Sequence, residues 1–233
     1  MILERLDADQ CEDRTQIVLH RARYDFALAR LAGQQDVLEI GTGAGVFTRE
    51  LQPRCGSYIG VEFDPDACEL ARQKTGGKAE IIQGDARQLP FADNRFSFVV
   101  CLEVLEHLGD WRAGVCQIHR CIKPEGTAVI SVPYRCIGGT NPGNPYHLYE
   151  PGEDELVAEF KQCFGTVEVY YQYFEETSWM SLVRRLHLRR LFGLEKIYAA
   201  LTAGKPEATS RLKIATRSGG MNINLILVLA GKK

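Results

Sequence analysis

A glycine-rich turn is the clearest chemical feature of the sequence. The apolar run Val37–Ile40 leads into Gly41-Thr42-Gly43-Ala44-Gly45, and a helical pattern follows it. Glycine lets the backbone approach a ligand closely, and free N–H groups at a helix N-terminus attract anions. The pattern predicts a ligand with an anionic or nucleoside part, and a tight turn without a ligand is the alternative.

Two acidic residues follow the next two predicted strands. Glu62 stands twenty-one residues after Gly41, where a carboxylate can accept both ribose hydroxyls of a nucleoside. Asp85, together with the N–H of Ala86, could read an adenine edge, and turn capping is the alternative for Asp85. The glycine spacing is GxGxG rather than GxGxxG, which disfavours a nicotinamide oxidoreductase.

Two histidines are the candidate catalytic residues. His107 follows the fourth predicted strand, and His147 lies in a loop after the fifth, flanked by Tyr146 and Tyr149. Loops at the carboxyl ends of parallel strands meet at one edge of the sheet, where α/β sites lie. We expect the histidines to assist proton removal there and the tyrosines to wall an acceptor. For His107 a packing or capping role is the alternative.

Strand and helix patterns alternate along the chain, which predicts a parallel sheet with helices on both faces. The predicted strands span residues 36–40, 57–63, 79–83, 96–102, 126–133, 166–174 and 222–230. The predicted helices span residues 14–32, 64–74, 111–122 and 150–164. We expect the last two strands to pair at the sheet edge.

The predicted organisation is a single domain, residues 1–233, that begins with a helical segment at 1–33. Residues 175–221 separate the last two strands and are predicted to form a helical and loop insertion. Basic and apolar residues fall on different sides of its helical pattern. This favours a lid over the acceptor pocket, and a helix packed on the sheet with a solvated basic face is the alternative.

Composition excludes several classes of protein. The chain has 233 residues, of which 45% are hydrophobic and 25% charged, as in ordinary soluble proteins. No apolar run reaches the roughly 20 residues that span a bilayer, and the start of the sequence lacks the pattern of a signal peptide. We therefore expect a cytoplasmic protein. The eight cysteines include no CxxC pair, which argues against a disulfide framework or a zinc ribbon.

Charge is divided unevenly. Residues 175–233 carry eleven Lys and Arg against four acids, a net of +7, which leaves −9 for residues 1–174. An acidic body is poorly suited to the phosphate backbone that dominates nucleic-acid affinity. We expect the basic insertion to face the acidic body, an anionic group or a membrane surface.

Taken together, several stretches resemble the class I S-adenosylmethionine-dependent methyltransferases. The resemblance is to their small-molecule branch (methyltransferase type 11), which includes the ubiquinone-biosynthesis O-methyltransferases. It covers roughly residues 20–174 and rests on RARYDFALARLAGQQDVLEIGTGAGVFT, IGVEFDPDACELAR, GDARQLPFADNRFSFVVCLEVLEHL and CIKPEGTAVISVP. It implies a Rossmann-like α/β fold, with a seven-stranded, mostly parallel sheet and an antiparallel last strand.

The resemblance also implies a cofactor and a reaction. The chain is expected to bind S-adenosyl-L-methionine, release S-adenosyl-L-homocysteine and methylate a small molecule at a hydroxyl of a sugar, phenol or quinone-type metabolite. Glu39 and the glycine turn would hold the methionine moiety, and Leu102 and Glu103 would close over the sulfonium. The predicted cofactor-binding residues are Glu39, Gly41, Thr42, Gly43, Gly45, Glu62, Phe63, Asp85, Ala86, Leu102 and Glu103.

Two other functions stay open. Glu103, Glu106, His107 and His147 resemble the metal-binding ExxEH…H arrangement of small-RNA 2′-O-methyltransferases. In that case the acceptor would be RNA and a divalent ion would activate its hydroxyl. A non-catalytic protein that binds an adenosyl ligand is the other alternative. We predict a small-molecule acceptor and no resident metal, and the sequence makes no prediction of the oligomeric state.

Overall fold

The computed structural model describes residues 14–175, 212–216 and 220–233, and within these ranges eight strands form one sheet. The strands are β1 (Asp36–Ile40), β2 (Ser57–Glu62), β3 (Glu80–Gln83), β4 (Phe96–Leu102), β5 (Ile122–Pro133), β6 (Phe164–Glu175), β7 (Leu212–Ala215) and β8 (Gly220–Lys232). The helices are α1 (Arg14–Leu28), α2 (Thr48–Leu51), α3 (Pro65–Lys74), α4 (Trp111–Cys121) and α5 (Glu153–Cys163). Two short 3₁₀ helices span Gln52–Arg54 and Leu105–His107.

The sheet order is β3-β2-β1-β4-β5-β8-β6-β7. Strands β1 to β5 pair in parallel, whereas β8 is antiparallel to both β5 and β6. The predicted fold class, a mostly parallel α/β sheet with an antiparallel last strand, is confirmed. The chain moves outward from β1 in both directions, through β2 and through β4. Open sheets of this kind bind ligands at such a reversal of strand order.

The predicted number of strands is wrong, whereas the predicted pairing of the last two strands is confirmed. Strand β7 lies within the segment predicted as a helical and loop insertion and pairs with β6, so the sheet has eight described strands rather than seven. Strand β8 pairs with β6, as predicted for residues 222–230 and 166–174, and β7 rather than this pair occupies the edge of the sheet. The run Leu225–Leu229 of β8 is buried, as expected of a strand covered on both faces. The predicted lid within 176–211 and the start of the N-terminal segment, 1–13, lie outside the described residues.

Apolar cores fill both faces of the sheet. Alternation along β1 sends Val37 to one core and Leu38 to the other. Helices α4 and α5 cover the Leu38 face, and α1, α2 and α3 cover the Val37 face. Asp64 caps α3 by accepting from the N–H groups of Asp66 and Ala67. No helix in the described ranges combines the length and the apolar character needed to cross a membrane.

Candidate functional site

A cavity of about 700 Å³ opens at the carboxyl edge of the parallel strands. The turns that follow β1 to β5 form its walls, and α1 covers it through Leu19, His20 and Arg23, among others. Of the predicted site residues, all but Glu39 and Gly45 line this one cavity. They are Gly41, Thr42, Gly43, Glu62, Phe63, Asp85, Ala86, Leu102, Glu103, His107 and His147.

The glycines of the turn serve different purposes. Gly43 and Gly45 both have positive φ, +53° and +73°, a region that non-glycine residues rarely adopt. A Cβ on Gly45 would lie 2.6 Å from the Cα of Ala71 in α3, whereas a Cβ on Gly43 would meet nothing within 4 Å. Gly45 therefore lets the turn pack against α3, and Gly43 leaves the cavity open to a ligand.

Glu39 lies behind the turn. It is 1% exposed and accepts hydrogen bonds from the hydroxyls of Tyr24, Tyr58 and Thr48. Burial raises the pKa of Glu39, and the three hydroxyl donors offset this only in part. The predicted direct contact between Glu39 and a methionine moiety does not match this placement. Since α2 is a single turn of helix, the loop and side chains, rather than a long helix dipole, must meet the ligand.

Glu62 joins the ends of β1 and β2. One carboxylate oxygen accepts from the N–H of Gly43 at 2.9 Å, and the other accepts from the N–H groups of Phe63 and Asp64 at 2.8 and 3.0 Å. Each carboxylate oxygen can accept about two hydrogen bonds, so the oxygen bound to Gly43 retains capacity for a ligand hydroxyl. The ring of Phe63 is 55% exposed beside it.

Asp85 is engaged by a neighbour. Its carboxylate accepts from the N–H of Arg87 at 2.8 Å and from the guanidinium at 2.6 Å. These hydrogen bonds hold the pKa of Asp85 below its ordinary value. An adenine amino group would share this carboxylate with Arg87, whose side chain is 44% exposed. The contact to adenine stays a prediction.

Glu103 has the most unusual backbone of the site, because it is a non-glycine residue with φ of +57°. Its carboxylate accepts from the hydroxyl of Ser131 and the amide of Asn224, each at 2.7 Å. Residues held in this region carry strain that surrounding contacts must offset, and they cluster at functional sites. These bonds turn the side chain of Glu103 toward β5 and β8.

Glu106, His107 and His147 form a cluster at the other end of the cavity. One ligand-type atom of each lies within 4.8 Å of the others, and the imidazole rings are nearly perpendicular, with centroids 4.8 Å apart. Glu106 is fully buried. Burial, followed by the nearby Glu103 carboxylate, raises the pKa of Glu106 well above its ordinary value. Glu103 is not part of this cluster, so the predicted four-residue metal set is assembled only in part.

Comparison with known proteins gives this arrangement a context. Residues 38–130, which contain most of the cavity wall, match a family described as "Methyltransferase domain". Residues 38–130 carry a methyltransferase domain.

Relatives of the methyltransferase domain match over part of their length. A demethylmenaquinone methyltransferase of Deinococcus radiodurans is 35% identical over 99 residues, which cover 40% of this chain and 41% of the relative. A Mycobacterium tuberculosis protein named "Probable S-adenosylmethionine-dependent methyltransferase" is 30% identical over 142 residues, covering 58% of this chain and 52% of the relative. The chain spans about half the length of these curated relatives.

Solved structures share the fold across nearly the whole chain. The N-methyltransferase NodS of Bradyrhizobium japonicum, in complex with S-adenosyl-L-homocysteine, has a TM-score of 0.62 at 16% identity, covering 96% of this chain and 91% of its own. The cyclase SpnF has a TM-score of 0.59 at 16% identity, covering 95% and 84%. Since the same fold accommodates different reactions, these likenesses establish the fold alone.

The loop between β5 and α5 positions His147 in the cavity. Glu150 accepts from Nδ1 of His147 at 2.5 Å and from the amide of Asn141 at 2.7 Å, and it also pairs with Arg135. Burial alone would raise the pKa of Glu150, but these three hydrogen bonds outweigh it and lower the pKa.

The two tyrosines beside His147 do not wall the cavity as predicted. The Tyr149 hydroxyl donates to Glu155 at 3.0 Å. Tyr146 is 38% exposed, and its carbonyl faces Nδ1 of His107 at 3.0 Å. Neither tyrosine lines the cavity. The loop's own hydrogen bonds, which the sequence does not show, direct both residues elsewhere.

Sequence reasoning missed a buried polar network. Arg23, 2% exposed, donates to Gln172 at 2.8 Å and to Asn224 at 2.7 Å. Gln172 in turn donates to the carbonyl of Leu19 at 3.0 Å. The partners are 149 and 201 residues from Arg23. The one available signal was the presence of Gln172 and Asn224 inside otherwise apolar or aromatic strands.

Proposed function

We propose that the protein is an S-adenosylmethionine-dependent methyltransferase that acts on a small molecule. The observation that carries this proposal is a single cavity in which two unlike sets of groups meet. One set follows β1 to β3 and suits a nucleoside, and the other follows β4 and β5 and suits activation of a hydroxyl. The methyltransferase domain in residues 38–130 supports the proposal.

The first set binds the cofactor. Glu62 accepts a ribose hydroxyl, the exposed ring of Phe63 packs against the adenine, and Asp85 accepts from the adenine amino group. Leu102 and Glu103, at the end of β4, form the wall beside the sulfonium, where the two sets meet. Glu39 is a positioning residue, because it fixes Tyr24 and Thr48 behind the glycine turn without lining the cavity.

The second set prepares the acceptor. Methyl transfer breaks the bond between sulfur and the methyl carbon while the acceptor oxygen forms a new bond in line. The acceptor hydroxyl must lose its proton, and holding it in line supplies several kcal/mol of the barrier. His107 and His147 are the groups that face it.

We further propose a phenol or quinone-type ring as the acceptor. Two features support this choice. Apolar residues, including Leu19, Val104 and the half-exposed Leu148, line the same cavity as the histidines, and they suit a flat apolar ring. In addition, a relative is named for demethylmenaquinone.

The test is a transfer assay with cofactor that carries a deuterated methyl group. The purified chain is incubated with a demethylated quinol, a catechol, a sugar and an RNA oligonucleotide, and the products are weighed by mass spectrometry. We expect label on the quinol or catechol, together with S-adenosyl-L-homocysteine. Label on RNA alone would favour the RNA alternative, and cofactor binding without transfer to any acceptor would favour a binding protein.

Matched variants show whether the cavity is responsible for the transfer. Glu62→Ala removes the ribose carboxylate and is expected to slow transfer at limiting cofactor concentration. Glu80→Ala makes the same change at an exposed position at the start of β3 and is expected to retain full activity. Equal activity of the two variants would contradict the assignment.

A further inference from the structure

We propose that Glu106, His107 and His147 bind a divalent first-row transition-metal ion that activates the acceptor hydroxyl. The role of the ion rests on the proposed function, but its binding does not. One ligand-type atom of each residue lies within 4.8 Å of the others. Metal–ligand bonds of about 2.0–2.2 Å place neighbouring ligand atoms roughly 3–4 Å apart. Small side-chain movements therefore suffice to close the three groups around an ion.

The carboxylate of Glu106 is the strongest observation. It is fully buried, and neither oxygen has a hydrogen-bond partner within the part of the chain that the structure describes. Buried charges in proteins are paired or coordinate metals. Two further carboxylates, Glu103 and Glu150, are charged neighbours of Glu106, and each already has a cationic partner, Arg23 at 3.9 Å from Glu103 and Arg135 beside Glu150. A cation bound at this cluster would give the Glu106 carboxylate the positively charged partner that it lacks among the described residues.

The histidines are already oriented as metal-bound histidines usually are. Nδ1 of His107 faces the Tyr146 carbonyl at 3.0 Å, and Nδ1 of His147 faces the Glu150 carboxylate at 2.5 Å. Metal-bound histidines donate their other ring N–H to a carbonyl or carboxylate, which fixes the ring and its tautomer. Nε2 is then the nitrogen that each ring would present to an ion.

The donor set indicates the class of ion. Two imidazoles and one carboxylate suit Zn²⁺, Fe²⁺, Co²⁺ or Ni²⁺ better than Mg²⁺ or Ca²⁺, which prefer all-oxygen sites. Three protein ligands leave a coordination position open, as in catalytic sites. All three residues line the cavity, so this position is accessible to an acceptor.

The acceptor hydroxyl is the nucleophile of the proposed step. The acceptor oxygen binds the ion, which lowers the pKa of the hydroxyl, and its proton passes to solvent. The oxygen then attacks the methyl carbon, and the electrons of the broken carbon–sulfur bond stay on sulfur.

The experiment is a Co²⁺ titration of protein freed of metals by a chelator, followed by visible absorption and calorimetry. We expect one Co²⁺ per chain. Glu106→Gln and His147→Gln are expected to weaken binding by at least about 100-fold, beyond the 10–100-fold typical of a lost supporting partner. Cys136→Ser, which removes an exposed thiol of the same loop, and Glu125→Gln, which removes an exposed carboxylate, are expected to bind Co²⁺ normally. Absence of a saturable site, or unchanged affinity in Glu106→Gln, would overturn the proposal.

Melting temperatures distinguish a loss of metal binding from unfolding of the variant. Glu106→Gln replaces a buried carboxyl group with an amide of nearly the same volume, so the metal-free variant is expected to melt no lower than the wild type. Co²⁺ is expected to raise the melting temperature of the wild type but not of Glu106→Gln. A similar rise in both proteins would contradict the site.

Transfer assays separate this proposal from the proposed function. Chelated wild-type protein is expected to lose at least about 10-fold in turnover and to regain it with Zn²⁺. Full turnover in chelator, with no Co²⁺ bound, overturns the metal site and leaves the methyltransferase function intact. Stoichiometric Co²⁺ binding in a protein that binds no S-adenosyl-L-homocysteine supports the metal site and overturns the methyltransferase function.

Discussion

In the nucleoside half of the cavity, formed by Gly41–Gly45, Glu62–Phe63 and Asp85–Ala86, the main chain makes most polar contacts. In the acceptor half, formed by Glu103–His107 and His147 with the Arg23 network, buried side chains make them. The nucleoside half consists of turns that directly follow strands, so each turn can be predicted from a short stretch of sequence. The acceptor half is assembled from distant segments, so only the folded chain brings its groups together.

Helix α1 connects the two halves through adjacent residues. The ring of Tyr24 stacks on Phe47 with centroids 4.7 Å apart, and its hydroxyl donates to Glu39 behind the glycine turn. The preceding residue, Arg23, holds Gln172 and Asn224 at the acceptor half. Movement of α1 would therefore disturb both halves together.

Arg23→Met tests the acceptor half and has the largest expected effect. It leaves Gln172 and Asn224 without their buried donor and Glu103 without its ion-pair partner. Removing one partner of a buried ion pair costs about 3–5 kcal/mol. Urea unfolding measures the loss. Arg21→Met on the same helix removes a partly exposed ion pair with Glu50 and is expected to cost at most about 1 kcal/mol. Similar losses of unfolding free energy in the two variants would show that the buried Arg23 network stabilises the fold no more than a surface ion pair does.

Gly45→Ala and Gly43→Ala test the nucleoside half with the same chemical change. At Gly45 the new methyl group meets the α3 backbone, so φ strain and overpacking together are expected to cost about 2–4 kcal/mol. At Gly43 only the φ strain of about 1 kcal/mol applies. Binding of S-adenosyl-L-homocysteine is nevertheless expected to weaken by at least about 10-fold in Gly43→Ala, because its methyl group occupies ligand space. Equal stability of the two variants would contradict the two roles.

His20, a cavity-lining residue of α1, is expected to make the stability of the protein depend on pH. Burial, followed by the Arg23 charge, lowers the pKa of His20 well below its ordinary value. Below about pH 6.5 the unfolded chain takes up a proton on His20 that the folded chain does not. The free energy of unfolding therefore decreases as the pH is lowered. The loss reaches at most about 2 kcal/mol at pH 5. Comparing urea unfolding at pH 7.5 and 5.0, we expect His20→Gln to lose less stability than the wild type. An identical loss in both proteins would rule out this role of His20.

The fold could be predicted because strand and helix patterns alternate clearly, and the errors have local causes. Strand β7 has four residues and follows a segment rich in turn-forming residues, so its pattern was too short to detect. The burial of Glu39 could have been inferred from strand periodicity, since it shares a face of β1 with Val37. The contacts of Arg23 with Gln172 and Asn224 could not, because no local pattern links residues so far apart in the chain.

The most direct test is calorimetric titration of S-adenosyl-L-homocysteine into four proteins: wild type, Glu62→Ala, Glu80→Ala and Glu106→Gln. The wild type is expected to bind one ligand per chain. Loss of the ribose carboxylate is expected to cost about 1.5–3 kcal/mol, which is roughly 10–150-fold in affinity. Glu80→Ala and Glu106→Gln are expected to bind as the wild type does, because neither change touches the nucleoside half. A folded Glu62→Ala protein with wild-type affinity would contradict the assignment of Glu62 as the ribose-binding carboxylate.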